Sequence, residues 1–595
     1  MPASAAGGHS PALAQFLRLA RALRASDSWR RVLLLALAVL AVVIANAVGQ
    51  IRLNYWHGDF YDAIAQRDLG AFGWQIVVFL AIVGVLLTLV VAQTWLGETL
   101  KVQLREWLTR DLLGIWLNPK RAYRLAFAGE IGVNPDQRIQ EDTRHLTELT
   151  AELGVGLAQA TLLLGSFIGV LWVLSRDVTL HFGESSLHIP GYMVWCALTY
   201  ALAGSWLTWK VGRPLIALNN DRYSREADLR FSLVRVNESI EAISFYAGES
   251  DEKRRLVNTL GVLVTSLRRI VSGLARLTWV TSGYGWLAIV VPILVAAPGY
   301  FGGDLSLGQL MMVVGGFNQV QQALRWFVDN FQRIAEWRAT LLRVENLRET
   351  LLSLETIEEG RKRIRVVEHP DGLLKFDNLK ILLPNGEATL DEKVIEIGHG
   401  EHVVVHGEAG AGKSTLLRAM AGLWASGEGT IWLPPANQMM FMPQRPYVPP
   451  GSLRAALSYP ASPEVFDETR EAFCLERVGL PNLVPALDED RRWDRELSLD
   501  QQQRIAFARL LLHAPQWVFV DDAASALEED QREVVWSIFE DELKDTTVLS
   551  VARRAWASEE GQRIRNLHLT RVPNGIGTEI MKSDHDKPTL EEVQK

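Results

Sequence analysis

The run Gly407-Glu408-Ala409-Gly410-Ala411-Gly412-Lys413-Ser414, with Thr415 after it, fits the pattern G-x-x-x-x-G-K-[ST]. An apolar run, EHVVVH (401–406), comes before it and a helical run, LLRAMAG, comes after. That is the strand–loop–helix setting the pattern needs. Glycines let successive backbone N–H groups close on phosphate oxygens. Lys413 has the reach for β and γ oxygens, and the Ser414 hydroxyl suits Mg²⁺. The helix from Thr415 onward adds its N-terminal dipole. Further on, WVFVDD (517–522) reads as an apolar strand ending in two carboxylates, with Asp521 placed to hold Mg²⁺ through water. The chemistry these groups specify is the binding of a nucleoside triphosphate with Mg²⁺.

Three more stretches carry a resemblance. LSLDQQQRIAFARLLL (497–512) is similar to the signature sequence of ABC transporters, FMPQRPYVPPGSLRAALSYP (441–460) to their Q-loop region, and SALEE (525–529) to their D-loop. NPDQRIQED (134–142) and EAISFYAGE (241–249) resemble segments of the fused half-transporters in ABC subfamily D and the bacterial SbmA/BacA/YddA group. The loop SLHIPGYMVW (186–195) and the short N-terminus favour the bacterial group. The resemblance spans nearly the whole chain. It implies ATP and Mg²⁺ as cofactors, with Gln444 touching Mg²⁺ and sensing the γ-phosphate. It also implies that Ser498, Leu499, Asp500 and Gln501 close over the nucleotide of a second subunit. A half-transporter needs two copies, so the expected partner is a second copy of this chain, the commonest symmetric arrangement.

Several positions depart from the family pattern. Asp500 replaces the second signature glycine, putting a carboxylate near the γ-phosphate unless it turns away or pairs with a cation. Glu528 replaces the D-loop aspartate. Asp522 stands at the general-base position and is one methylene shorter than the usual glutamate, while Arg553 replaces the switch histidine and cannot relay a proton. Leu383 sits where an aromatic would stack on adenine. Binding of Mg-ATP is therefore expected, with Asp522 and Arg553 as weakened catalytic groups.

These residues need elements to hold them. The 595-residue chain is 48% hydrophobic with 20 Trp, which suits a membrane protein carrying a soluble portion. Its net charge of −8 gives no sign of a nucleic-acid partner. Cys196 and Cys474 are too few for a disulfide framework and read as buried thiols. No cleaved signal pattern opens the sequence, so insertion rests on internal segments. Six charge-free windows are long enough to span: 32–51, 72–97, 154–175, 189–209, 277–303 and 305–324. Alternate connecting segments hold 5, 8 and 12 Lys and Arg, against 2, 1 and none in the others. By the positive-inside rule both termini are cytoplasmic, and the resemblance to the bacterial group implies an inner membrane.

The expected fold is an all-α six-helix transmembrane domain, like that of type IV ABC transporters, fused to an α/β P-loop nucleotide-binding domain. The expected divisions are an N-terminal segment 1–31, a membrane domain 32–345, a linker 346–372, a nucleotide domain 373–575 and a polar tail 576–595. Residues 11–24 alternate apolar and basic positions, as an amphipathic helix on the membrane face would. The sixth span is expected to run on as one helix through RWFVDNFQRIAEWRATLLRVENLRETL.

Polar residues inside the spans are candidates for a solute path: Gln93 and Thr94, then Thr281, Ser282 and Tyr284, then Asn318, Gln319, Gln321 and Gln322. Hydrogen bonds between packed helices are an equal alternative for each. No charged residue lies in the six windows, which weighs against a proton-coupled carrier, although Glu98 and Glu152 lie at the boundaries. The resemblance implies ATP-dependent uptake of several solutes, such as peptides or cobalamin-like molecules. Two readings stay open beside it: a nucleotide-gated or ion-driven carrier, and export of an acyl-CoA-like substrate.

Overall fold

Lipid cannot satisfy a backbone N–H, so charge-free apolar windows must fold as helices. The computed structural model describes residues 12–126, 134–353 (apart from 177, 179, 183, 184 and 188), 363–551 and 564–572. They form two compact units.

The first unit is helical. An N-terminal helix, α1 (Ala12–Arg24), precedes α2 (Trp29–Ala65) and α3 (Leu69–Trp116). A short α4 (Arg121–Leu125) follows, then α5 (Thr143–Ser175), entered through a π-helical turn at Arg138–Asp142. A small hairpin, Leu180–Phe182 with Ser185–Leu187, leads to α6 (Tyr192–Glu238), α7 (Ile240–Phe245) and α8 (Glu249–Phe301). Last come α9 (Leu307–Asp329) and α10 (Phe331–Ser353).

Helices α2, α3 and α8, and the one running Pro135–Ser175, are long and apolar enough to cross a membrane. The windows in α6 and α9 fall short on composition. Tyr and Trp dilute the first, and Asn318, Gln319, Gln321 and Gln322 dilute the second. Both helices nevertheless share the apolar core of α5 and α8, where Phe167, Leu171, Met193, Ala296, Val313 and Phe317 are buried. Leu34, Val77, Leu80, Leu87 and Trp279 point outward, as lipid-facing side chains do.

The sixth span is not one continuous helix. Its backbone breaks at Asn330 (φ −100°, ψ 5°), whose side-chain amide donates to the Trp326 carbonyl at 2.9 Å. A side chain that bonds the helix's own carbonyls competes with the ladder. Beyond the break, charge pairs pin α10. Arg343 grips Asp142 with two nitrogens at 2.9 and 2.7 Å, Arg348 meets Asp111 at 2.9 Å, and Arg333 meets Glu152. Helix α1 does more than float on a surface. It buries Leu19 and Leu23, pairs Arg18 with Glu345 at 3.0 Å and sets Phe16 against Trp337.

The second unit takes in α4 and is built on a sheet. Its strands are β1 (Arg365–Glu368), β2 (Leu374–Leu383), β3 (Gly386–Leu390), β4 (Val394–Ile397) and β5 (His402–His406), then β6 (Gly427–Leu433) and β7 (Met439–Met442), and finally β8 (Trp517–Asp521), β9 (Thr547–Val551) and β10 (Ile564–Val572). The order is β1-β6-β2-β3-β10-β5-β9-β8-β7, with β4 beside β2. Strands β10, β5, β9, β8 and β7 run parallel. Runs such as HVVVH and WVFVD suit a parallel sheet covered on both faces. The segment expected as linker, 346–372, holds the end of α10 and strand β1.

Around this sheet lie α11 (Lys413–Met420), α12 (Leu453–Ser458), α13 (Glu468–Arg477) and α14 (Leu499–His513). Helices α12, α13 and α14 share one apolar core with Val518 and Val520 of β8.

Candidate functional site

The apolar β5 drives into the sheet centre and delivers Gly407 at its end. A Cβ there would lie 2.6 Å from the Leu569 carbonyl of β10, so only glycine fits. The chain then turns through exposed Glu408, Ala409 and Gly410 and buried Ala411. At Gly412 it enters α11 with φ +97°, a left-handed conformation that favours glycine. No side chain caps this helix. Lys413 Nζ donates to the carbonyls of Gly407 (2.6 Å) and Glu408 (3.0 Å), so the ammonium lies across its own loop. Ser414 Oγ donates to Asp521 Oδ1 at 2.9 Å, and Thr415 is buried behind it. A hydroxyl and a carboxylate oxygen side by side are the hard donors that suit Mg²⁺, and the open helix N-terminus suits phosphate. At the other end of α11, the Lys120 ammonium lies over Gly422. A cation is favoured there by the helix dipole.

The signature residues form a different kind of helix start. Ser498 and Gln501 make a capping box at α14, with Ser498 N donating to Gln501 Oε1 at 3.1 Å. Asp500 accepts from the Ser498 hydroxyl and from Arg504 Nη2, the latter at 2.9 Å. Burial pushes the Asp500 carboxyl up, but the bonds from Ser498 and Arg504 outweigh it and hold it below its ordinary value. Asp500 is therefore an ionised carboxylate already paired with a cation, so its repulsion of a phosphate is reduced. Leu499 is exposed beside it.

Asp522 follows β8 in a left-handed backbone (φ +51°), with its N–H on the Val551 carbonyl at 3.0 Å. Short acidic side chains tolerate that conformation better than longer ones. Its carbonyl accepts from Ser525 N at 3.2 Å. Arg553 lies outside the described residues. Leu383, at the end of β2, packs with the sheet core rather than offering a ring.

The Gln444 side chain is exposed, and its carbonyl accepts from Gln503 Nε2 at 2.9 Å. Reading the residues in order missed Gln503. The available signal was helical spacing, because positions 503, 507 and 510 fall on one face with Phe507 and Leu510. A polar residue on an apolar helix face calls for a buried partner.

In the first unit, Gln93 accepts from Asn46 Nδ2 at 3.3 Å and donates to Gln159 Oε1 at 3.2 Å. It joins α2, α3 and α5 through these bonds, as the packing alternative for this residue expects. Thr94 bonds back to the Val90 carbonyl of its own helix. Tyr284 stacks on Tyr200 with centroids 4.3 Å apart, and each hydroxyl donates to the other's carbonyl at 2.9 and 2.7 Å. A small cleft beside that pair is lined by Thr208, Thr281, Gln321 and Arg325. Asn318 and Gln322 are exposed on α9, and Gln319 is half-buried. Glu152 is held between Lys101 (2.7 Å) and Arg333.

A helical membrane unit joined to a sheet unit with this phosphate loop and signature helix defines an ABC half-transporter, and the chain belongs to the ABC transporters. Residues 19–301 match ABC transporter transmembrane region 2, and residues 390–525 match the family described as ABC transporter. An uncharacterized ABC transporter ATP-binding protein of Haemophilus influenzae is 30% identical over 523 residues, covering 88% of this chain and 87% of the relative. The inner membrane ABC transporter ATP-binding protein YddA of Escherichia coli is 29% identical, over 88% of this chain and 91% of that protein. The lysosomal cobalamin transporter ABCD4 of Homo sapiens is 25% identical, over 88% and 90%. Among solved structures, a bacterial Atm1-family ABC exporter with ATP bound shares the fold, with TM-score 0.64 and 16% identity over 87% of this chain and 91% of that one.

Proposed function

We propose that two copies of this chain form a bacterial inner-membrane transporter that takes up bulky polar or amphipathic solutes, such as peptides or cobalamin-like compounds, in step with ATP binding. The observation that carries the reading is the phosphate loop: an uncapped helix N-terminus with Ser414 and Asp521 2.9 Å apart beside it. Lys413, now resting on two loop carbonyls, has the reach to exchange them for phosphate oxygens. Ser414 and Asp521, with Gln444, would hold Mg²⁺, which would neutralise charge on the phosphates. Bound ATP supplies a phosphoanhydride whose cleavage resets the transporter. Asp522 orients the attacking water from a carboxylate one methylene short, so hydrolysis is slow; a misplacement of about 1 Å costs on the order of 100-fold in rate. Arg553 contributes positive charge and no proton relay. Exposed Asn318 and Gln322, with Tyr284 nearby, supply a neutral polar wall for the solute.

The test is the purified protein in lipid nanodiscs, assayed for Mg²⁺-dependent ATP binding and for turnover with candidate peptides and cobalamin. Tight binding with turnover well below ordinary transporter rates is expected. Brisk, cargo-stimulated hydrolysis would refute slow turnover, and absence of nucleotide binding would refute the reading itself.

A further inference from the structure

Gln503 is wholly buried near the start of α14, and its amide meets two loops at once. Its Nε2 donates to the Gln444 carbonyl at 2.9 Å and to Ser525 Oγ at 3.4 Å, while its Oε1 accepts from Ala526 N at 3.0 Å. The partners fix the amide's orientation, since a carbonyl can only accept and a backbone N–H can only donate. Ser525 N in turn donates to the Asp522 carbonyl at 3.2 Å. One side chain thus joins the Gln444 loop to the turn that carries Asp522. Arg509, two turns along α14, holds the same Gln444 segment further on, at the Tyr447 carbonyl (3.1 Å) and the Ala456 carbonyl (2.6 Å). The loop therefore rides on α14, and Gln503 extends that attachment to residues 525 and 526.

We propose that Gln503 is a positioning residue: it makes the Gln444 loop and the Asp522–Ala526 turn move as one piece, so that occupancy sensed at one sets the place of the other. Its functional consequence rests on the nucleotide-binding reading above, whereas the linkage itself does not. A buried amide satisfied at both ends is well suited to this task, because breaking either bond strands a polar group in an apolar core. Motion at one loop therefore carries a penalty unless the other follows.

The experiment is hydrogen–deuterium exchange of the full-length protein in nanodiscs, comparing wild type with Gln503→Leu and Gln503→Glu. Leucine is apolar and one bond shorter, and it removes all three hydrogen bonds. Glutamate keeps the acceptor for Ala526 N and loses the donor to Gln444. Without nucleotide, Gln503→Leu should speed exchange at Ala526 by about 3–10-fold, the worth of one hydrogen bond, while β8 and the rest of α14 keep wild-type protection. Gln503→Glu should leave Ala526 protected. With Mg-ATP, wild type should gain protection at 441–450 and 522–528 together, and both variants should gain it at 441–450 alone. Joint protection in Gln503→Leu, or faster exchange spread through α14 and β8, would overturn the proposal. If wild type responds to Mg-ATP nowhere, the nucleotide reading fails, and the nucleotide-free comparison still decides on the linkage.

Discussion

Two helices in the sheet unit begin where the family places phosphates, and they begin differently. Helix α11 starts bare: Gly412 offers no side chain, and no side chain caps it. Helix α14 starts satisfied, with Ser498 and Gln501 capping each other and Asp500 seated between Ser498 and Arg504. An uncapped N-terminus leaves donors that a ligand can take, whereas a capped one has spent them on its own side chains. Nucleotide should therefore bind first and most strongly at α11. Closure onto α14 has to displace bonds that already exist.

The contrast can be broken by experiment. The largest effect belongs to Lys413→Ala, which should weaken Mg-ATP binding by about 10–100-fold, the scale of a lost hydrogen bond to a charged group. Calorimetry would measure it, and a Ser498→Ala control should bind as wild type does. Equal losses in the two variants would erase the distinction between the helix starts.

Turnover tests the second half. Asp522→Glu lengthens the carboxylate and should raise hydrolysis by about 10-fold. Asp500→Gly should change it by no more than about 3–5-fold, because Arg504 and Ser498 already offset that charge. A steady-state phosphate-release assay distinguishes them, and a larger gain from Asp500→Gly would mean that the Arg504 pairing fails to shield the phosphate.

The smallest effect concerns the helices beneath α14. Glu471 of α13 is fully buried, with one oxygen on Arg454 at 2.5 Å and the other without a hydrogen-bond partner. Burial, with Asp488, Glu468 and Asp467 nearby, pushes its pKa from 4.5 to about 7 against the pull of Arg454. The folded state then holds a proton that the unfolded chain releases, so stability falls as pH rises from 4.5 towards 7. Thermal melts should drop by roughly 5–10 °C across that window. Glu471→Gln should flatten the slope, while the phosphate loop's ATP affinity should stay level over it. An unchanged slope in Glu471→Gln would assign the effect elsewhere.

The phosphate loop was legible in the sequence because its chemistry is local: glycines, lysine and serine act within eight consecutive positions, and an apolar strand marks where they start. The spans were legible for a similar reason, since a charge-free window reports its own environment. The fate of Asp500 was half legible. Arg504 lies four residues on, the spacing at which helix side chains meet, yet only the helix start at Leu499 sets that pairing. Gln93 and Gln503 could not be assigned from sequence. The partners of Gln93 lie 47 and 66 positions away, and those of Gln503 lie 59, 22 and 23 away on separate loops. The break at Asn330 likewise depended on an amide choosing the Trp326 carbonyl over water. Sequence by itself determined which segments are helix, which are strand and where the glycine-lysine-serine loop lies, because periodicity and short motifs act through neighbouring residues. Tertiary structure decided which polar groups are open to ligand and which are already bonded, because a buried amide or carboxylate is committed by partners that the fold brings from far along the chain.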